Sequence, residues 1–199
     1  MSTVIFAAAL SLAACGSTPK ATDTSASAAS TQTAQASDDQ TFNDRELVSA
    51  ISTHLGVTSE SAASAIERLF KEKGRPVGYI TGEEGGGAFT FGARYGKGTL
   101  WMKDGATKKV YWQGPTVGFD IGAEASKVFT LVYNLDDPEL IYRRYPGVDG
   151  SAFLVAGMAV NYQRGNGITL APVRAGVGVR LGANIGYTSY TRNRSLIPL

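Results

Sequence analysis

The stretch Ala175–Tyr187 reads AGVGVRLGANIGY, and its alternation decides the fold class. Its odd positions, Ala175, Val177, Val179, Leu181, Ala183, Ile185 and Tyr187, are apolar. Its even positions are Gly176, Gly178, Gly182 and Gly186, broken only by Arg180 and Asn184. A period of two is the signature of a strand, whose side chains point alternately to opposite faces. A face of bare glycines marks strong coiling of the strand or the close approach of another element. Both devices belong to small barrels, so the reading is a small antiparallel barrel with its core on the apolar side of this strand.

Working outward, strand patterns fill the chain from Val77 to the end. They cover Val77–Thr81, Ala88–Tyr95, Gly98–Lys103, Lys108–Gln113, Val117–Ile121, Lys127–Asn134, Ser151–Gln163, Ile168–Ala171 and Val173–Tyr190. Asp104-Gly105 and Gly165-Asn166-Gly167 are hairpin signals. Asp136-Asp137-Pro138-Glu139 has carboxylates and a proline where a helix begins, which predicts a short helix over about 138–144. Before the strands, two helices are expected. The first is capped by Asn43 or Asp44, carries Leu47, Val48, Ile51 and Leu55, and stops at Gly56. The second is capped by Thr58 or Ser59, carries Ala62, Ala65, Ile66, Leu69 and Phe70, and stops at Gly74. The fold class is therefore mainly β, an α+β arrangement of a helical hairpin over residues 41–74 and a barrel of about eight strands over 75–199, together one domain.

The pair of helices resembles a helix-turn-helix only superficially. Residues 16–73 carry 5 Lys/Arg against 8 Asp/Glu, which disfavours nucleic acid. Residues 74–199 carry 14 against 9, without a charge run, and read as a mixed solvated surface. The strands lack an aromatic girdle and ten-residue apolar-out pattern, so the barrel is read as soluble and not as a membrane pore. The 24 glycines show no collagen period and suit curved sheet.

The search for chemistry returns no catalytic residue. One cysteine and one histidine preclude an internal disulfide and a His/Cys metal cluster, and no cofactor motif is present. His54 is expected to act at the end of the first helix, where a cation suits the dipole. Gly82-Glu83-Glu84-Gly85-Gly86-Gly87 lacks the Gly-Lys-Ser/Thr ending of a phosphate loop and is read as a mobile turn or tight barrel corner. Asp120 with Glu124, or Glu83 with Glu84, would make an acid/base pair only at a separation the sequence does not reveal, and are read as turn and rim charges. Trp101, Tyr111 and Trp112 suit stacking on a sugar or base, but in strands such rings are core or interface residues.

The front of the chain is different. Val4–Leu12 is apolar except for Ser11, too short to span a bilayer and suited to the core of a signal peptide. No Lys or Arg precedes Lys20, so the basic start usual in such signals is expected upstream of Met1. Leu12-Ala13-Ala14-Cys15 resembles the bacterial lipoprotein signal. That resemblance implies removal of residues 1–14, a thioether-linked diacylglycerol on Cys15, and a membrane partner through the acyl anchor. Gly16, where aspartate would favour retention at the inner membrane, implies the outer one. Residues 16–40 hold no large apolar side chain and are expected to form a disordered Ser/Thr/Ala tether spanning about 25–30 Å.

From residue 74 onward the blocks GRPVGYITGEEGGGAF, YGKGTL, VYWQGPTVGFDIGAEASKVFTLVYNL, PGVDGSAFLVAGMAVNYQ and ITLAPVRAGVGVRLGANIGYTSYT resemble a family of uncharacterised Gram-negative periplasmic proteins that includes envelope integrity protein A. The resemblance implies a periplasmic barrel of about eight strands and a role in resisting envelope stress, without assigned catalytic residues. The glycine beat Gly114, Gly118 and Gly122 is also similar to SYLF-type domains that associate with lipid. Two functions lead as expectations, ahead of an envelope hydrolase: a non-enzymatic lipoprotein of the periplasmic face, or a barrel binding a lipid or other apolar ligand at the membrane surface, with an envelope lipid or lipopolysaccharide as the partner. Lipid extraction from the purified protein separates them.

Overall fold

The computed structural model describes residues 40–88, 91–117, 126–175 and 186–194. Two helices come first. Helix α1, Asp44–Leu55, starts with a capping box: the Asn43 side chain accepts from the Glu46 N–H at 3.0 Å, and the Glu46 carboxylate accepts from the Asn43 N–H at 2.9 Å. It ends at Gly56, whose φ of 73° is left-handed. Helix α2, Ser59–Lys73, is capped by the Thr58 hydroxyl and ends at Gly74 with φ 76°.

Ten strands follow among the described residues: β1 Gly78–Ala88, β2 Phe91–Met102, β3 Thr107–Val117, β4 Ser126–Tyr133, β5 Arg144–Pro146, β6 Phe153–Val155, β7 Met158–Val160, β8 Gln163–Gly165, β9 Ile168–Ala175 and β10 Tyr187–Thr191. All pairings are antiparallel, in the order β5-β10-β3-β2-β1-β4-β9-β7-β6, with β8 also on β9. The sheet curls until its ends meet. Gly147 bridges Gln163, and the Val148 N–H donates to the Tyr162 carbonyl at 2.9 Å, which joins the end of β5 to β8. The circuit β1, β2, β3, β10, β5, β8, β9, β4 is thus a nearly closed barrel of eight strands, the architecture the alternation predicts.

Two apolar cores share one strand. In β4 the side chains of Val128 and Val132 face the barrel interior with Ile80, Leu100, Val110, Trp112, Ile168, Leu170 and Tyr190. Phe129, Leu131 and Tyr133 face outward and meet Leu47, Ile51, Ala62, Ala65, Ile66 and Leu69 of the helices. Each Val, Leu, Ile or Phe among them, buried in full, contributes about 1.5–3 kcal/mol. The hairpin packs its apolar stripe on the sheet, as its spacing predicts.

Several local expectations are corrected. Gly82–Gly87 is neither a turn nor a corner: β1 runs through it, paired with β2 from Gly78↔Met102 to Ala88↔Gly92. The expected strands Ala88–Tyr95 and Gly98–Lys103 run together as the single strand β2, Phe91–Met102, while Ala88 ends β1. The expected helix over 138–144 is only a 3-10 turn, Pro138–Ile141, because Arg144–Pro146 are drawn into pairing with β10. Ser151–Gln163 is not one strand; Ala156 and Gly157, with φ 47° and 78°, turn the chain between β6 and β7. Pro172 does not end a strand. It lies inside β9 at the point where β7 stops pairing and β8 has not begun, so the ladder there needs no N–H. The core side of the decisive stretch is reversed at its described ends. Even-numbered Arg174, Thr188 and Tyr190 face the interior, while Ala175 packs with the helical core. At the Ala175 end the outer face is apolar because it packs with the helical core. Residues 176–185, including Gly182, lie outside the described residues.

Candidate functional site

The interior of the barrel holds a polar network built on a lane of glycines. Register places Trp112 of β3 opposite Gly96 of β2, and Gly96 opposite Glu84 of β1. The indole lies flat across this lane. A Cβ at Gly96 would overlap its Cε2, Nε1 and Cζ2 atoms, and one at Gly82 would stand 2.5 Å from Cη2. Spanning the lane, the indole N–H donates to Glu84 Oε2 at 3.1 Å.

Glu84 is also held from across the barrel. Arg174 of β9 donates to it through Nε at 2.5 Å and Nη2 at 3.2 Å, and through Nη1 to Asn161 Oδ1 at 3.2 Å. Side-chain accessibility is 11% for Glu84 and 20% for Arg174, low enough for their attraction to escape most solvent screening. Burial pushes the Glu84 carboxyl up, but the charge and hydrogen bonds of Arg174, the charge of Arg94 and the Trp112 N–H outweigh it and hold it at about 2. Arg94 donates to the Thr188 hydroxyl at 2.8 Å, which also accepts from Gln163 Nε2 at 2.9 Å. Burial and the neighbouring Arg174 charge bring Arg94 down to about 10, so it remains a cation at neutral pH. The network cross-links six strands, β1, β2, β3, β8, β9 and β10, and the segment after β7. A carboxylate this firmly ionised is a poor proton donor, and here it is bonded to both Trp112 and Arg174.

The outer wall carries the second arrangement. On β1, β2, β3 and β10 the outward residues form two rows. One runs Gly85, Tyr95, Gln113, Ser189; the next runs Glu83, Lys97, Tyr111, Thr191. An open cleft of about 340 Å³ lies over them, with Arg194 at its end. Gly85 contributes no side chain, and the space where its Cβ would stand is empty.

The residues singled out by the sequence fall as follows. Glu83 and Glu84, expected as turn or rim charges, are adjacent within β1 and so face opposite sides of the wall, Glu83 outward at the cleft and Glu84 buried inside. Asp120 and Glu124 lie outside the described residues, as does Cys15 with everything before residue 40. His54 is in the last turn of α1, where its position was expected, but it does more than cap. Its Nε2 lies 3.2 Å from the Gly82 nitrogen, 3.0 Å from the Gly82 carbonyl and 3.1 Å from the Val128 carbonyl, so it pins the helix to the β1–β4 seam. Gly82 N–H donates to an unprotonated Nε2; a protonated Nε2 donates to the carbonyls. Trp112 is a core ring. Trp101 stays 41% exposed outside the barrel, with its N–H donated to the Thr81 hydroxyl. Tyr111 alone of the three aromatic candidates lines the outer cleft with its side chain outward.

The Glu84–Arg174–Arg94 network was not anticipated. Its only local signal is that Arg174 shares the sparse even-numbered face with Arg180 and Asn184. Among the described residues no group of three or more His, Cys, Asp or Glu side chains is placed to hold a metal, and no helix is long and apolar enough to cross a membrane.

Residues 40–199 match the family described as envelope integrity protein A. The chain is also similar to a solved structure, a β-barrel-like uncharacterised protein from Brucella abortus. The two are 45% identical with a TM-score of 0.73, over 80% of this chain and 99% of that one. No curated protein matches the chain.

Proposed function

Because this chain belongs to the envelope integrity protein A family, we propose that it is a non-enzymatic lipoprotein of the bacterial envelope, held at the periplasmic face of the outer membrane through Cys15 and acting to keep the envelope intact under stress. The observation that carries this reading is the family match across residues 40–199, four fifths of the chain. The anchor rests on Leu12-Ala13-Ala14-Cys15, which supplies the one thiol of the chain after two small residues. Support for a non-enzymatic role comes from how the buried ionisable groups are used. Glu84, Arg174 and Arg94 are engaged with one another and with Trp112 and Thr188, and His54 is engaged by main chain. In this reading the barrel is a body presented beside the membrane to which Cys15 is attached.

The test is genetic. A strain lacking the gene is grown with detergent and with cell-wall-acting antibiotics, then complemented. The expected result is sensitivity in the deletion strain, rescue by the wild-type gene, and weaker rescue by Cys15→Ser. Unchanged resistance in the deletion strain would remove the envelope role; full rescue by Cys15→Ser would remove the anchor from the function.

A further inference from the structure

We infer that the outer cleft over β1, β2 and β3 is a binding site for an anionic saccharide. Its volume of about 340 Å³ is at the small end of ligand pockets, about 300–1,000 Å³, and suits one or two sugar rings. The register explains why a hollow exists here. Tyr95 and Tyr111 stand in adjacent rows on neighbouring strands, and Gly85 leaves the place opposite Tyr95 empty.

The lining chemistry selects the ligand. Two tyrosine rings offer faces for the C–H side of a pyranose, and their hydroxyls and the Thr191 hydroxyl offer donors and acceptors around its edge. The tyrosines are diagonal neighbours and not opposed plates, which favours a polyhydroxylated ring over a flat base held in a sandwich. The charged rim is unequal. Lys97 and Arg194 face only Glu83, because the neighbouring Glu84 carboxylate turns into the barrel and is held there by Arg174. An acidic group on the sugar, a carboxylate or a phosphate, meets that excess of cations. This site does not depend on acylation of Cys15, and its failure would leave the anchor untouched.

The test is calorimetric titration of the full chain with three probes: the N-acetylglucosamine–N-acetylmuramic acid disaccharide, glucose 1-phosphate and neutral chitobiose. The expected result is millimolar or tighter binding of an acidic probe, about tenfold or more above chitobiose. Binding of the muramic acid probe assigns a carboxylate ligand, and binding of the phosphate probe a phosphorylated one. Gly85→Leu fills the hollow from a position where an added Cβ meets nothing within 4 Å, so it should abolish binding at an unchanged thermal midpoint. Lys97→Met with Arg194→Met, both solvent-facing, should erase the preference for the acidic probe. No binding of any probe at millimolar concentration, equal affinity for chitobiose, or wild-type affinity in Gly85→Leu would each overturn the site.

Discussion

Trp112 sets what its neighbours must be. An indole lying flat on the inner wall leaves no room for a side chain beneath it, so Gly96 and Gly82 are bare for a reason that lies on another strand. Gly85 differs: its missing Cβ faces open space. Gly96→Ala is therefore expected to lower stability by at least the 1–3 kcal/mol typical of overpacking, about the cost of displacing a ring and its bond to Glu84. Gly85→Ala is expected to be neutral or to gain about 0.4–1 kcal/mol through the unfolded chain. Urea midpoints of the two variants decide it, and equal effects would contradict the lane. Glu84 makes a pH prediction. Its carboxyl is depressed from 4.5 to about 2 in the folded protein, so the folded state binds fewer protons than the unfolded one between those values. Its contribution is complete above about pH 4.5 and is lost as pH falls through about 2. Glu84→Gln should be less stable at neutral pH, by about 3–5 kcal/mol if Arg174 is left buried without its counter-charge, and should show a shallower acid slope. Parallel pH slopes for wild type and Glu84→Gln would place the acid sensitivity elsewhere.

At the scale of elements, α1 depends on its cap. Asn43→Ala removes one half of a reciprocal pair and should cost about 1 kcal/mol, seen as faster amide exchange in the first turn of α1. Unchanged exchange there would mean that packing of Leu47 and Ile51 alone holds the helix. The cap was legible in the sequence, as were Thr58, Gly56 and Gly74, since capping chemistry is completed within three or four residues. The turns at Asp104-Gly105 and Asn166-Gly167 were legible for the same reason: Gly105 and Gly167 adopt φ 90° and 81°. What was misread has its cause far along the chain. Glu83-Glu84-Gly85-Gly86-Gly87 looks like a loop unless one knows that β2 pairs with all of it and that Trp112 lies across it. Ala156 at φ 47° carries no local sign that a strand must turn there. Pro172 looks like a strand end because its neighbours β7 and β8 cannot be seen from its own segment.

For the whole molecule, the organising fact is that β4 has two buried faces. One closes the barrel and the other seats the helices, so neither unit is finished without the other. Removing residues 41–74 should therefore expose Phe129, Leu131 and Tyr133 together and yield a protein that aggregates. A soluble, cooperatively melting barrel from 75–199 would show that the hairpin is an accessory. Barrel and hairpin were legible as a class because alternation and helical spacing are properties of the sequence itself. The cleft was legible only in part: Tyr111 and Glu83 were singled out, but their meeting with Tyr95, Lys97 and Arg194 depends on register. Cys15 is the opposite case: it lies outside the described residues, and its proposed role rests on the sequence around it alone. The proposed anchor would hold this fold at a membrane through that one thiol, and the direct measurement is the mass of the mature amino-terminal peptide of protein extracted from envelopes. The expected result is a peptide beginning at Cys15 and carrying a diacylglycerol with a further acyl chain on the new amino terminus. A peptide that begins elsewhere, or contains Cys15 as a free thiol, would contradict it.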